Sequence, residues 1–261
     1  MSERWSDLAV RMGSGALMVV VGILAIWLGG DVFHVVVALI CGLMIWELTR
    51  MFAPDAPGLA VQLGGVAALA VLMAIYLPVI YAAPLLVAPA FVGASQLKVH
   101  RLLFGAFTVM VLAASYGMMH VRDDLGFAWL VWLVLIVVVT DVAGYFAGRM
   151  LGGPKFWPKV SPKKTWSGTA AGWIGAAIVG AIFAINSGVW GAVMLASIVL
   201  SFSSQMGDIA ESAIKRKMGV KDSSHLIPGH GGVLDRFDGM LGASVAFLMI
   251  EFLFGFPWLA L

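Results

Sequence analysis

Residues 212–238 read SAIKRKMGVKDSSHLIPGHGGVLDRFD. Lys215, Arg216, Lys217, Lys221 and Arg236 crowd into this stretch with Asp222, Asp235, Asp238 and two of the chain's five histidines. Apolar runs flank it. The chain as a whole is 61% hydrophobic and 11% charged over 261 residues, with a mean hydropathy of +0.99. A soluble domain carries roughly 25% charged residues, and a soluble form of this chain would expose far too much apolar surface. The stretch is therefore the polar exception in a multi-span membrane protein, and its charge requires a chemical or topological reason.

Working outward, a helix needs about 20 apolar residues to cross the hydrocarbon core. Open sheets are excluded there, because every backbone polar group must be satisfied within the segment. Nine spans are expected, at roughly 13–30, 32–49, 58–77, 78–94, 102–120, 126–148, 168–187, 189–214 and 239–259. The third and fourth are divided only at Leu77-Pro78. The fold class is thus all-α and polytopic, with about five spans in residues 1–125 and a C-terminal transmembrane region with polar loops in 126–261, where function is expected. The first apolar run continues to Gly30 without a cleavage signature, so it reads as a retained span. The single cysteine, Cys41, excludes an internal disulfide, and Cys and His are too sparse for a zinc site of the usual spacing.

Nine spans place 15 of the 16 basic residues on the side of the N-terminus and only Arg122 opposite. The positive-inside rule assigns the basic side to the cytoplasm. The opposite loops are tight turns at Gly29-Gly30-Asp31, Leu77-Pro78, 121–125 and Asn186-Ser187-Gly188. Functional residues belong on the basic face.

Three polar elements converge on that face. At the end of span six, Asp141, Tyr145 and Gly148 share one helix face. Gly144 and Gly148 form a GxxxG that permits close helix approach, and an acid in an apolar run is expensive and usually functional. The following loop carries Ser161, Lys163, Lys164 and Thr165 ahead of a helix start, a pattern suited to phosphate. In span eight, Asp208, Glu211, Ser212 and Lys215 fall on one stripe, with Ser203, Ser204 and Gln205 extending its polarity inward. The third element is the 221–238 loop. Gly229, Gly231 and Gly232 let backbone N–H groups approach an anion, and Asp235 and Asp238, at i and i+3, can face one Mg²⁺ ion that also holds substrate phosphates. Arg236 can grip phosphate bidentately. Of the remaining acids, Glu47 reads as an interfacial i, i+3 partner of Arg50, and Glu251 as an acid buried in the last span.

Ser212-x-Ile214-Lys215-Arg216, Lys221-Asp222-x-Ser224 and His230-Gly231-Gly232-Val233-x-Asp235-Arg236-Phe237-Asp238 together resemble the signature of phosphatidate cytidylyltransferases, the CDP-diacylglycerol synthases. The segments 141–149, 161–166 and 207–212 are also similar to bacterial members, so the resemblance covers the C-terminal half. It implies CTP and phosphatidic acid as substrates, CDP-diacylglycerol and pyrophosphate as products, and an integral-membrane homodimer in the bacterial inner membrane. It also implies a paired metal centre at Asp208 and Asp235, Mg²⁺ with a second monovalent or divalent cation. No nucleic-acid partner is expected.

The chemistry suits these residues. The lipid keeps its tails among membrane lipids while CTP arrives from the cytoplasm. A phosphatidate oxygen is already anionic, so no strong base is needed, and the barrier is one anion attacking another. Asp208 and Asp235, with Asp238, are the expected metal ligands; Lys215, Arg216, Lys221 and Arg236 are expected on the triphosphate. Asp141, Ser161, Lys163, Lys164, Thr165, Ser212, Asp222, His230, Gly231 and Gly232 are the expected substrate-binding residues. Whether Lys163 and Lys164 meet phosphatidate or nucleotide is open. An ion-coupled transporter is the alternative, but it would place polar residues at midplane on several spans. A CDP-alcohol phosphotransferase would carry an acidic helix motif that is absent here.

Overall fold

A computed structural model describes residues 2–185 and 189–255 of the chain. The turn Asn186-Ser187-Gly188 and the expected end of the ninth span lie outside the described residues. Among the described residues, nine helices are long and apolar enough to cross a membrane. They are α1 (Ser2–Leu28), α2 (Gly30–Phe52), α3 (Pro57–Ala74), α4 (Val79–Gln96), α5 (Arg101–His120), α6 (Phe127–Leu151), α7 (Trp166–Phe183), α8 (Trp190–Lys217) and α9 (Leu234–Phe254). The chain is an all-α polytopic membrane protein.

The boundary at Leu77-Pro78 holds. The α3 helix stops at Ala74, Pro78 is the N-cap of α4, and α4 runs unbroken through Pro84 and Pro89. The basic loop after α6 is an antiparallel hairpin, β1 (Lys155–Trp157) with β2 (Ser161–Thr165). Edge-to-face contact of Phe156 with Trp166, centroids 4.7 Å apart, anchors it to the start of α7.

The chain divides into two compact units: Met1–Asp123 with Lys217–Phe237, and Asp124–Arg216 with Asp238–Leu261. The division expected from sequence kept the 217–237 stretch with the C-terminal half; in the structure it packs with α1–α5.

In the first unit α2 is the hub, burying Phe33, Val37, Cys41, Ile45 and Leu48. Its Gly42 lies against Gly64 of α3: a Cβ on Gly64 would come 2.7 Å from the Gly42 carbonyl oxygen. Such close approach of small residues is how helices associate where no hydrophobic driving force separates them from lipid.

The second unit uses the same device twice. The α6–α7 crossing brings Gly144 against Gly168, a Cβ on Gly144 falling 3.3 Å from the Gly168 carbonyl oxygen, as the GxxxG spacing predicts. The α8–α9 crossing is tighter still. Gly207 has the Asp238 carbonyl and the Gly242 backbone against it, and Gly242 has the Ser203 carbonyl. Buried Trp132 donates its indole N–H to Ser197 Oγ at 3.1 Å, and Thr140 Oγ1 donates to Ser201 Oγ at 2.7 Å, tying α6 to α8.

Candidate functional site

In the first unit, two buried carboxylates organise the 221–234 loop. Asp235 accepts from Ser223 N (3.0 Å), Ser223 Oγ (3.0 Å) and Gly232 N (2.8 Å). Gly231 sits at φ 84°, where a side chain is strained, and its Cβ would come 2.8 Å from Asp235 Oδ2. Glu47 of α2 is fully buried beneath the same turn. Its Oε1 accepts from Ser224 Oγ (2.5 Å) and Val233 N (2.8 Å), and its Oε2 from Ser223 Oγ (3.2 Å) and Leu234 N (2.7 Å). Val233 N and Leu234 N stand at the start of α9, where backbone donors lack intrahelical partners. The sequence expectation of a Glu47–Arg50 pair is therefore corrected: Arg50 Nη1 donates to the Pro54 carbonyl at 2.9 Å, and Glu47 is the anchor of the loop. A polar acid one turn from a span end was the only local signal, and it pointed to Arg50.

Outside these anchors the loop presents a cavity of about 620 Å³ lined by Arg11, Lys221, Asp222, His225, His230 and Arg236, together with residues 227–229 and 231. Lys221, Asp222 and Arg236 are exposed at its wall. The expected substrate residues Lys221, Asp222, His230, Gly231 and Arg236 thus come together; Gly232 is buried on Asp235 and does not line the cavity.

In the second unit, the α8 stripe meets the first turns of α9. Carboxylate oxygens of Asp208, Glu211 and Asp238 lie within 4.8 Å of one another. The small residues at Gly207 and Gly242 allow this, since their backbones touch immediately beside Asp208 and Asp238. Lys164 of β2 pairs with Asp208, and Lys215 pairs with Glu211 at 2.5 Å along the helix. Ser212 Oγ donates to Asp208 Oδ1 at 3.2 Å. Three hard oxygen donors from two helices suit a Mg²⁺ ion. In the second unit the acids that gather, among the described residues, are Asp208 and Asp238 with Glu211; in the first unit Asp235 accepts from Ser223 and Gly232. The signal for Glu211 was its place on the α8 stripe.

Beside these acids a second cavity, about 480 Å³, is lined by Asp141, Tyr145, Arg149, Lys155, Lys163 and Lys164, among others. It runs along the α6 face that carries Asp141, Tyr145 and Gly148. Arg149 Nη1 donates to Tyr145 OH at 2.7 Å. Thr165 lines this cavity as well, but its Oγ1 is also the N-cap of α7, accepting from Gly168 N at 3.2 Å. Gln205 spans α7 and α8, accepting from Trp173 Nε1 and donating to the Thr169 carbonyl. Ser161 stands at the first position of β2, half-buried, and Arg216 is exposed near the end of α8.

A model of the cytidylyltransferase family matches residues 9–254. The chain belongs to the cytidylyltransferase family. It is similar to proteins named phosphatidate cytidylyltransferase in several bacteria. The Brucella suis protein is 44% identical over 157 residues, 59% of this chain and 57% of that protein. The Mycobacterium tuberculosis protein is 37% identical over 138 residues, 52% of this chain and 42% of that protein. The Staphylococcus haemolyticus protein is 40% identical over 144 residues, 52% of this chain and 55% of that protein. The chain thus spans about half the length of the curated relatives it matches.

Proposed function

We propose that this chain transfers the cytidylyl group of CTP to phosphatidic acid, giving CDP-diacylglycerol and pyrophosphate. The observation that carries the reading is the family match over residues 9–254, with relatives bearing the phosphatidate cytidylyltransferase name. The reaction forms a bond from a phosphatidate oxygen to the α-phosphorus of CTP and breaks the bond to the β-phosphate oxygen, releasing pyrophosphate.

The residues present fit this chemistry. In the second unit Asp208, Glu211 and Asp238 would hold Mg²⁺, the donor set that hard cations use with phosphate substrates. When bound, such an ion offsets the negative charge that builds on the phosphoryl oxygens. Asp235, placed by its hydrogen bonds to keep the loop in shape, is left out of this set. A second cation, monovalent or divalent, belongs to the same proposal. Lys163 and Lys164 meet a substrate phosphate in the 480 Å³ cavity, and Lys215 and Arg216 add positive charge at the end of α8. In the first unit, Lys221 and Arg236 act on the polyphosphate.

We further place the site at the cytoplasmic face of a bacterial inner membrane, supported by the split of basic residues between the loops, and take the active form to be a homodimer. No observation favours the transporter alternative. The test is purified full-length protein in detergent given CTP, phosphatidic acid and Mg²⁺. Pyrophosphate release that requires both substrates is expected. Its absence, with protein that remains monodisperse, would remove the reading.

A further inference from the structure

The cavity of the first unit has a wall that the 212–238 motif does not supply. Arg11, Ser14 and Gly15 of α1 fall at i, i+3 and i+4 and share one face. That face meets the turn Pro228-Gly229-His230. Gly229, at φ 76°, lies so close that a Cβ there would overlap the Arg11 side chain. Ser14 Oγ stands 2.9 Å from the Pro228 carbonyl oxygen and 2.9 Å from His230 Nδ1. A Cβ on Gly15 would come 3.5 Å from His230 Cε1. Arg11 itself lines the cavity with Lys221 and Arg236.

Two consequences follow from these contacts. First, Arg11, Lys221 and Arg236 set three permanent cations against one acid, Asp222, around about 620 Å³ of space. Guanidinium groups bind phosphate oxygens bidentately, so the lining selects a ligand with several adjacent phosphoryl oxygens. Second, the single hydroxyl proton of Ser14 has two neighbours that can only accept, the Pro228 and Arg11 carbonyls, at 2.9 and 3.1 Å. With that proton directed to a carbonyl, His230 Nδ1 must carry its own proton and donate to Ser14 Oγ. Nε2 is then the nitrogen left for a ligand, and it donates to a phosphoryl oxygen when the ring carries both protons.

We propose that the N-terminal helix is part of the polyphosphate site. Arg11 binds phosphoryl oxygens of CTP and of the pyrophosphate product, and Ser14 is a positioning residue that fixes His230 so that Nε2 serves the same ligand. The proposal rests on the cytidylyl-transfer reading for the identity of the polyphosphate, but its primary test does not need turnover.

Inorganic pyrophosphate is titrated into the purified full-length protein by calorimetry, for wild type, Arg11→Gln, Arg11→Lys and Arg50→Gln. Arg50 of α2, hydrogen-bonded to the carbonyl of Pro54 just past the helix end, is the charge control. Arg11→Gln should weaken pyrophosphate binding about tenfold or more, as loss of one charge-assisted contact does. Arg11→Lys should fall between, and Arg50→Gln should stay within about twofold. Kinetics supply the second arm. Arg11→Gln should raise the KM for CTP and leave that for phosphatidic acid unchanged. Ser14→Ala should lower kcat/KM for CTP severalfold, and Ser14→Thr should restore it. Wild-type pyrophosphate affinity in Arg11→Gln, or in Arg11→Lys should the glutamine variant not fold, would overturn the proposal. So would a rise confined to the phosphatidic acid KM, which would give the cavity to the lipid headgroup. If wild type shows no CTP-dependent turnover, the functional reading falls, while the pyrophosphate titration still decides whether Arg11 holds a polyphosphate.

Discussion

Glu47→Gln tests how the loop is held. The substitution preserves size and shape but replaces one acceptor oxygen with an NH₂ group. Each carboxylate oxygen serves one hydroxyl and one backbone N–H: Ser224 and Val233 on Oε1, Ser223 and Leu234 on Oε2. Whichever way the amide turns, one hydroxyl and one N–H face a donor. The hydroxyl can rotate, but the N–H of Val233 or Leu234 cannot, because it is fixed at the start of α9. Leaving a buried donor unsatisfied costs about 1–3 kcal/mol, and the remaining bonds lose their charge assistance. A local loss of about 2–4 kcal/mol follows, which opens the 223–234 segment roughly 30- to 1000-fold more often. Hydrogen exchange of full-length protein in detergent reads this directly, as loss of amide protection in residues 223–234 with α6–α8 unchanged. Activity should fall in step, and Arg50→Gln should show neither effect. Wild-type protection and activity in Glu47→Gln would refute the anchoring role.

Other outcomes follow from the same geometry. Asp208→Asn and Asp238→Asn should each abolish turnover while the protein stays folded, whereas the defect of Asp235→Asn should appear as loop exposure that added Mg²⁺ does not relieve; activity against Mg²⁺ concentration, read beside hydrogen exchange, separates the two classes. Lys163→Gln and Lys164→Gln should lose roughly ten- to a hundredfold in kcat/KM, with Lys159→Gln near wild type, and the substrate whose KM rises identifies the phosphate this hairpin meets; equal, small effects in all three would reduce the lysines to topology anchors. Gly242→Ala drives a methyl into the Ser203 carbonyl and should cost about 1–3 kcal/mol in thermal stability, whereas Gly65→Ala on α3, with open space around it, should be neutral or better; equal melting temperatures would contradict the tight α8–α9 crossing.

Local signals made the fold legible. Hydropathy marked nine spans, and Leu77-Pro78 marked the narrowest division, because proline suits a helix start and both sides are apolar. The 155–165 hairpin was not legible, since two strands of three and five residues leave too short a pattern. The candidate site was legible where partners share a helix, as Asp208, Glu211, Ser212 and Lys215 do. It was not where partners lie far apart in sequence. Glu47 reaches Leu234 across 187 positions, and nothing near Glu47 announces that. Likewise nothing near Asp235 announces the hydrogen bonds it accepts from Ser223 and Gly232. Ser14 carries no motif at all; only its contact with His230 brings it to notice.

Cytidylyl transfer to a lipid phosphate moves one phosphorus of CTP and not the others, so position-specific labelling of CTP reads it out. The purified protein is given phosphatidic acid, a divalent cation and CTP radiolabelled at either the α- or the γ-phosphate, and the organic and aqueous phases are counted. The α-label should enter the lipid phase and the γ-label appear in aqueous pyrophosphate, both only when phosphatidic acid is present, and Asp208→Asn should abolish the transfer. Entry of the γ-label into lipid, or no transfer of the α-label by folded wild-type protein, would contradict it.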